Sequence, residues 1–454
     1  MRSARFAFLA VIFFILAPLT GVASNSWGGS TADDGMGHSI TVEGETRGND
    51  SNITITVRDK TTGKVIKVIK KYRSRTGART ESITNNDDGT STREIVDEDT
   101  RLIESTGQLE WRRIESTTTF SGPDKTGHVT GGKETDTKRL TDPKTGKLIK
   151  RTKTGIEYDP AKHEWRTISS LPAVPTDQRF ALVLPHTADP RGVIEGSATI
   201  EVTDADGSRT IEPAIGTVTA TVTADTAKGR WSHIFYYTLG ALAFDAIKHV
   251  TAAARFNVAA SYAGSSDTAH IDMSDVGTQT RPRVDQANQQ SMVLPVGGMA
   301  NITGSLFAPQ REPEVFLCTR QSVESLDPAA FSNTDIRTLI PIRSTPGIAT
   351  VIVENGTGHF TQPLEVNPVG VHLDVPPHVR VGQTFQGSVS LMGLTEANKS
   401  KRFTAQMHVS GHGRFAAGGN DVTTQIIGGR ASAAMIATSA GTIQVTVSDV
   451  TPVP

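Results

Sequence analysis

A recurring turn constrains the fold of this chain more than any other feature of its sequence. The stretch 59–67 (DKTTGKVIK) returns as 142–150 (DPKTGKLIK). Asp opens such a turn by accepting hydrogen bonds from the backbone that follows it, and Gly takes the positive φ that the turn requires. Between turns, apolar and polar residues alternate, as at Ile53 and Ile55. The pattern predicts an antiparallel β-hairpin array over residues 50–170.

The composition agrees with a mainly β protein of several domains. The chain has 454 residues, which predicts two to four domains. Aromatic residues are few, at 6%, but 42 Gly residues together with many Thr and Val favour strands joined by many turns. Because 46 Lys and Arg balance 47 Asp and Glu, no global field selects nucleic acid or an anionic membrane. The single cysteine, Cys318, excludes an intrachain disulfide and a cysteine-based zinc site.

The N-terminus has the order of a secretory signal. Arg2 and Arg5 precede an apolar run over 6–16, and small residues follow. We predict a signal peptide over 1–23 and, because Gly, Ser and Asp dominate the next stretch, a flexible leader over 24–49. The mature chain is expected to be secreted, periplasmic or at the cell surface, without a transmembrane helix.

The middle region, 171–290, is predicted to be β-rich with one central helix near 231–254. Phe235, Leu239, Leu242 and further apolar residues recur at steps of three and four, which places them on one helix face. The unbroken apolar run is about half of the ~20 residues that a membrane span needs, so we expect a helix that covers a sheet. The stretch 255–262 fits a strand equally well, and the sequence does not decide between the two.

Two basic segments, 64–75 (KVIKVIKKYRSR) and 147–153 (KLIKRTK), allow two interpretations. They could form a site for a polyanion such as an acidic glycan. Alternatively, Lys and Arg keep exposed strands soluble and unpaired. Acidic residues are interspersed nearby, which favours the second interpretation.

Other residues suggest chemistry without completing it. Asp204 and Asp206 resemble the opening of a calcium loop whose closing carboxylate is missing, so a hairpin turn is the simpler interpretation. Three possible ligands near 270 belong to an incomplete set, which favours a solvated loop. Cys318 lies in a strand-like context that predicts a buried, inert thiol. The possible ligands near 270 are His270, Asp272 and Asp275, and His408 with His412 is a separate possible pair.

The C-terminal part carries two family resemblances. Gly297-Gly298 before an Ile302-x-Gly304 strand, followed by the stretch 346–356, resembles the IPT/TIG immunoglobulin-like fold. The close of the chain over 429–447 resembles the end of invasin-type bacterial Ig-like domains. These resemblances imply two C-terminal Ig-like β-sandwiches, an IPT/TIG-like one over 291–367 and a bacterial Ig-like one over 368–454.

The N-terminal hairpins carry a third resemblance. The stretch 155–159 (GIEYD) and the Asp-Gly turns resemble the YD-repeat hairpins of secreted bacterial proteins. The resemblance covers about a quarter of the chain, and only one Tyr-Asp pair is present. No shell or toxin function is therefore implied by it.

No catalytic fingerprint such as G-x-S-x-G, H-E-x-x-H or a phosphate-binding loop occurs in the sequence. The sequence predicts a noncatalytic cell-envelope or surface protein, without catalytic residues, metal or cofactor, in which Ig-like modules bind or adhere to a glycan or a protein. A scaffold subunit of an envelope complex is one alternative. A polysaccharide-acting hydrolase or its accessory protein, with a cleft of paired carboxylates in 180–290, is another.

Overall fold

The computed structural model describes most of the chain from Ser24 onwards. The signal peptide predicted over 1–23 lies outside the described residues. The described ranges are 24–47, 50–74, 76–168, 175–189, 193–204, 209–226, 229–238, 241–243, 255–274, 281–288, 291–308 and 311–453. Within these ranges, no helix is long and apolar enough to cross a membrane.

The first ten strands form one antiparallel sheet in strict chain order, here called the hairpin sheet. A 3-10 helix, Pro123–Lys125, lies in the connection between its seventh and eighth strands. The strands are β1 (Ser24–Asp33), β2 (His38–Arg47), β3 (Asp50–Asp59), β4 (Val65–Arg73), β5 (Gly77–Asn85), β6 (Ser91–Ile103), β7 (Gln108–Phe120), β8 (Val129–Thr141), β9 (Leu148–Asp159) and β10 (Glu164–Thr167).

The next nine strands build a first sandwich. One layer contains β11, β13, β14 and β17, and the other has the order β12-β19-β18-β15-β16. The strands are β11 (Pro175–Val183), β12 (Thr187–Ala188), β13 (Glu195–Asp204), β14 (Arg209–Pro213), β15 (Val218–Thr226), β16 (Gly229–Tyr237), β17 (Ala241–Ala243), β18 (Arg255–Tyr262) and β19 (Ser265–Met273).

A second sandwich follows. Its layers are β25-β26-β22-β20 and β24-β23-β27-β28, and the first of these joins the sheet of the first sandwich through a β13–β25 pairing. The strands are β20 (Arg283–Ala287), β21 (Val293–Pro295), β22 (Met299–Ser305), β23 (Glu314–Cys318), β24 (Val323–Leu326), β25 (Pro328–Phe331), β26 (Asp335–Leu339), β27 (Ala349–Glu354) and β28 (Leu364–Asp374).

Strand β28 continues into a third sandwich, because its start pairs with β27 and its end pairs with the strand after it. It therefore passes through the predicted boundary at 367/368. A four-residue helix, Glu396–Lys399, is the one α-helix of the described residues. The remaining strands are β29 (Thr384–Met392), β30 (Phe403–Gly411), β31 (Gly413–Phe415), β32 (Asp421–Ile426), β33 (Arg430–Ala437) and β34 (Ile443–Pro452).

The prediction of a mainly β chain with antiparallel sheets is confirmed. Each sandwich has its own core, and the hairpin sheet packs against two of the sandwiches. Ile40, Ile55 and Ile69 of the hairpin sheet meet Phe316 of the second sandwich. Farther along the same sheet, a small cluster around Trp111 meets the first sandwich.

The recurring turns have the predicted chemistry. The carboxylate of Asp59 accepts hydrogen bonds from the backbone N–H and the hydroxyl of Thr62, and Gly63 has φ 72°. Asp142 makes the same bonds to Thr145. This second turn also contacts the first sandwich, since the backbone N–H of Thr217 donates to Pro143 at 3.0 Å.

The predicted helix over 231–254 is wrong where the structure describes it. Residues 229–237 form β16 and 241–243 form β17, whereas 244–254 lie outside the described residues. Trp231 and Phe235 face the core, while Ile234 and Tyr236 face solvent. Because both faces of the strand are apolar, its period of two is hidden and a helical period is mimicked. The open question over 255–262 is resolved in favour of a strand, β18.

The predicted flexible leader over 24–49 is also wrong for the residues described. This stretch forms β1 and β2, and Ile40 and Val42 are fully buried. The turn between the strands is closed by Asp34, whose carboxylate accepts from the backbone N–H and the ring Nδ1 of His38 at 2.8 and 2.6 Å. The polar composition misled the prediction, because the apolar residues on the buried face are few.

We expect Ile55→Ala to destabilise the protein by about 2–5 kcal/mol, because the fully buried Ile55 fills the contact between the hairpin sheet and the second sandwich. Urea unfolding followed by fluorescence measures the change. Ile149→Ala is the matched control, since Ile149 is 49% exposed on the same sheet and should change stability by less than about 0.5 kcal/mol. Equal effects of the two substitutions would contradict the described packing.

Candidate binding face and the charges that hold it

The residues singled out as possible ligands do not meet in one site, although the Nε2 of His270 lies 3.9 Å from Asp272 on the same strand. Cys318 is fully buried, as predicted, and burial raises the pKa of its thiol. The Nδ1 of His408 contacts Asp421 at 2.9 Å, whereas the Nδ1 of His412 contacts Ser439 at 2.6 Å.

The carboxylates named with them have other partners. Asp272 accepts two hydrogen bonds from Arg255, at 2.5 and 3.1 Å, and Asp275 lies outside the described residues. Asp204 forms an ion pair described below, and Asp206 is likewise not described. Within the described part of the chain, no three His, Cys, Asp or Glu side chains are grouped as a metal site requires.

The first basic segment fastens the hairpin sheet to the second sandwich. The Nζ of Lys71 lies 2.8 Å from carboxylate oxygens of both Glu314 and Asp327. Arg73 adds a bond of 3.1 Å to Glu314, and Lys67 donates to the carbonyl oxygen of Val323 at 3.2 Å. Glu314 and Lys71 are almost completely buried. Burial alone would raise the pKa of Glu314, but Lys71 and Arg73 outweigh it and hold that pKa below its ordinary value.

The second basic segment fastens the same sheet to the first sandwich. Arg151 donates to Asp204 at 2.5 Å and to Glu212 at 2.9 Å, and Arg139 reaches Glu212 at 3.3 Å. Lys153 also donates to Asp204, at 3.2 Å. Both carboxylates are fully buried. The buried cations of the two segments, Lys71 and Arg151, are therefore ion-pair partners of carboxylates in the same chain, whereas Lys70 and Lys150 of these segments are exposed.

A third polar cluster joins the first and second sandwiches. The Oδ1 of Asp335 accepts from the backbone N–H of His186 at 3.2 Å, and Ser332 donates to the carbonyl oxygen of Thr187 at 2.5 Å. Among the described residues, the Oδ2 of Asp335 and the Oδ1 of Asn301 are buried without a hydrogen-bond partner. Burial raises the pKa of Asp335 to about 7.

A polar cleft of about 230 Å³ lies between the hairpin sheet and the second sandwich. Its charged groups are already paired with one another, since Arg343 contacts both Glu94 and Glu324. The cleft lies outside 180–290, where the hydrolase alternative requires one.

One open surface of the described residues is a face of the five-stranded sheet in the first sandwich. The strand register of β16, β15, β18 and β19 aligns side chains in rows across that face. The first row pairs Tyr236 and Thr219 with two serines, and the second pairs Ile234 and Thr221 with Ala259 and a threonine. The rows in strand order are Tyr236, Thr219, Ser261, Ser266; then Ile234, Thr221, Ala259, Thr268; then Ser232, Thr223, Asn257, His270.

These three rows, here called the hydroxyl-rich face, contain no Asp, Glu, Lys or Arg. A fourth row, Arg230, Asp225, Arg255 and Asp272, gathers the charges at one end of the sheet. Tyr236 is 71% exposed and Ile234 is 50% exposed. Hydroxyl and amide groups beside an exposed tyrosine are also typical of antibody binding loops. The alternation in TVTATVT was noticed in the sequence, but the face needs the pairing of four distant strands.

No protein-family model matches the chain, and no curated protein is similar to it in sequence. Among solved structures, the extracellular region of plexin A4 has 7% identity and a TM-score of 0.24, and the match covers 90% of this chain and 69% of that one.

Two further solved structures are similar at the same low level. The Bacteroides ovatus SGBP-B, from a mixed-linkage glucan utilization locus and in complex with a heptasaccharide, has 8% identity and a TM-score of 0.17, covering 60% of this chain and 99% of its own. Surface layer protein SbsC, domains 1–6, has 12% identity and a TM-score of 0.15, covering 83% of this chain and 52% of its own. Likeness at these TM-scores supports no argument about function.

We expect Lys71→Met to destabilise the protein by about 3–5 kcal/mol, because it leaves Glu314 buried with less compensating charge. Urea unfolding gives the change. Lys70→Met is the matched control, since Lys70 is exposed on the opposite face of the same strand. Adding Glu314→Leu to Lys71→Met should recover part of the loss, and a double variant as unstable as the single one would contradict the pairing.

Asp335 predicts a pH dependence of stability. Below about pH 4 the folded and unfolded chains both hold this proton, whereas between pH 4 and 7 the unfolded chain releases it and the folded chain keeps it. The contribution of Asp335 to stability should therefore fall as the pH rises through this window, by about 1.4 kcal/mol for each unit of pKa difference. Asp335→Asn should flatten the fall and raise stability at pH 7, as measured by thermal unfolding at several pH values. Identical pH profiles would refute the raised pKa.

Proposed function

We propose that the protein is a noncatalytic binding protein of the cell envelope or cell surface, and that it binds through the hydroxyl-rich face. The observation that carries the proposal is the register of β16, β15, β18 and β19, which aligns uncharged polar side chains and an exposed tyrosine on one open sheet. Such a face is suited to a broad partner surface rather than to a small ligand, because it has no depth.

The chemistry of the face favours an uncharged partner. Hydroxyl and amide groups donate and accept hydrogen bonds without the desolvation cost of full charges, and Tyr236 adds apolar contact area. A neutral glycan or a neutral patch on a protein fits these groups. A polyanion would find few cations there, because the charges are confined to the end row with Arg230 and Arg255, and Arg255 is paired with Asp272.

The buried ion pairs support the same proposal, because a binding face is useful when its orientation is fixed. The hairpin sheet is tied to the first sandwich through Arg151 and to the second through Lys71. Buried charges gain little net free energy over apolar contacts, but they specify one arrangement. We propose that the hairpin sheet acts as a brace which holds the face in a set direction.

An extracellular location is part of the proposal and rests on the secretory pattern over 1–23. Protease treatment of intact cells, with the culture medium assayed in parallel, tests it. Cleavage of the cell-bound protein, or its recovery in the medium, supports surface exposure. Complete protection until the envelope is opened would place the protein in the periplasm and favour the scaffold alternative.

We expect Thr221→Lys to weaken binding at least 10-fold, because it places a charge in the centre of the hydroxyl-rich face. Binding is measured by glycan arrays and by pull-down from envelope extract with the mature protein, followed by titration of the captured partner. Thr118→Lys is the matched control, since Thr118 is also half-buried in a strand with neighbours on both sides of the hairpin sheet. Equal binding by the two variants, or no partner in either screen, would contradict the proposal.

A further inference from the structure

We propose that two copies of the protein associate through the outer edge of β16, so that their five-stranded sheets join into one sheet of ten. Within the described residues, β16 is the last strand of its sheet and pairs only with β15. The edge concerned is the stretch from Arg230 to Tyr236. This inference concerns the contact between copies and does not depend on the proposed function.

The edge of β16 lacks the features that usually prevent edge pairing. Natural proteins protect edges by making the strand short, bulged, proline-bearing or rich in lysine. Strand β16 has nine residues, pairs with β15 in one continuous register, and contains neither Pro nor Lys. Its solvent-facing side instead presents Ile234 and Tyr236, which are 50% and 71% exposed.

The other edge strands of the described sheets are protected in these ways. Strands β10, β12, β24 and β31 have four residues or fewer. Strands β1, β11, β20 and β34 pair with a shift of register. Strand β32 has six residues and begins with Asp421. Strand β16 is therefore the longest edge strand that pairs without a shift, which distinguishes it as an interface.

The sequence of β16 fits a second copy of itself. Antiparallel pairing of identical strands follows a two-fold axis, and residues that face each other must lie on the same side of the sheet. Centred on His233, the pairing sets Trp231 against Phe235 and Arg230 against Tyr236. This register does not bring Arg230 against a like charge, and aromatic pairs across strands are favourable.

The two-fold axis of such a pair is perpendicular to the sheet. Both hydroxyl-rich faces would then lie on the same side and form one surface of double width. A partner with repeated units could contact both halves at once, which raises the apparent affinity without any new contact.

The oligomeric state of the mature protein tests the proposal. Light scattering coupled to size exclusion should give twice the mass of one chain. The double variant Ile234→Lys with Tyr236→Lys should be a monomer, because it places lysine at position 236 opposite Arg230 of the other copy and removes the apolar contact of Ile234. The matched control is Thr219→Lys with Thr221→Lys, which puts the same charges on the same face at their partners in β15 and should stay dimeric. Circular dichroism confirms that each variant folds.

Cysteine cross-linking locates the contact. In an antiparallel pair, a residue on the two-fold axis lies within about 4.5–5.5 Å of its copy, which suits a disulfide. His233→Cys should give a disulfide-linked dimer under oxidising conditions, and buried Cys318 should not react. A monomeric wild-type protein at about 100 µM would overturn the proposal, as would a dimer that survives the lysine pair on β16 and forms no cross-link. The control variant Thr219→Lys with Thr221→Lys is expected to lose partner binding and to stay dimeric. Failure of the dimer proposal can therefore be distinguished from failure of the proposed function.

Discussion

The buried charge pairs between the hairpin sheet and the sandwiches are the interactions on which the arrangement of the molecule depends. Glu314, Asp204 and Glu212 are fully buried, and each would be costly to bury without its cationic partner. Their partners come from β4, β8 and β9. The sheet can therefore lie in one position only, because a shift along the sandwiches would leave charges buried and unpaired.

Two further connections limit movement between the sandwiches. Strand β28 belongs to both the second and the third sandwich, and the sheet that begins with β11 in the first sandwich continues through β25 into the second. Main-chain hydrogen bonds thus cross from one sandwich to the next, and polar contacts such as that of Asp335 with His186 add to them. Tandem sandwiches joined in this way, and braced on one side, behave as a single platform.

Charged side chains are distributed unevenly between the hairpin sheet and the surfaces that we propose for binding. The hairpin sheet carries ion pairs on its surface as well as at its buried contacts, for example Arg112 with Asp136. The hydroxyl-rich face and the edge of β16 carry almost none. A neutral surface with an open strand edge is prone to association, and it lies beside a charged and protected remainder, which is why we propose it as the surface for partners.

The sequence by itself determined the local structure of much of this chain. The Asp-Gly turns, the alternation in Ile53, Ile55 and Val57, and the burial of Cys318 all follow from chemistry within a few residues. Prediction from the sequence failed where both faces of a strand are apolar, as in β16, and where the buried face is small, as in β2. Only the tertiary structure decided that Lys71 and Arg151 meet buried carboxylates rather than water or a polyanion, and that Thr221 lies between Ile234 and Ala259. These outcomes depend on strand register between distant segments, and the free energy that fixes register comes from long-range packing and charge pairing that no local pattern contains.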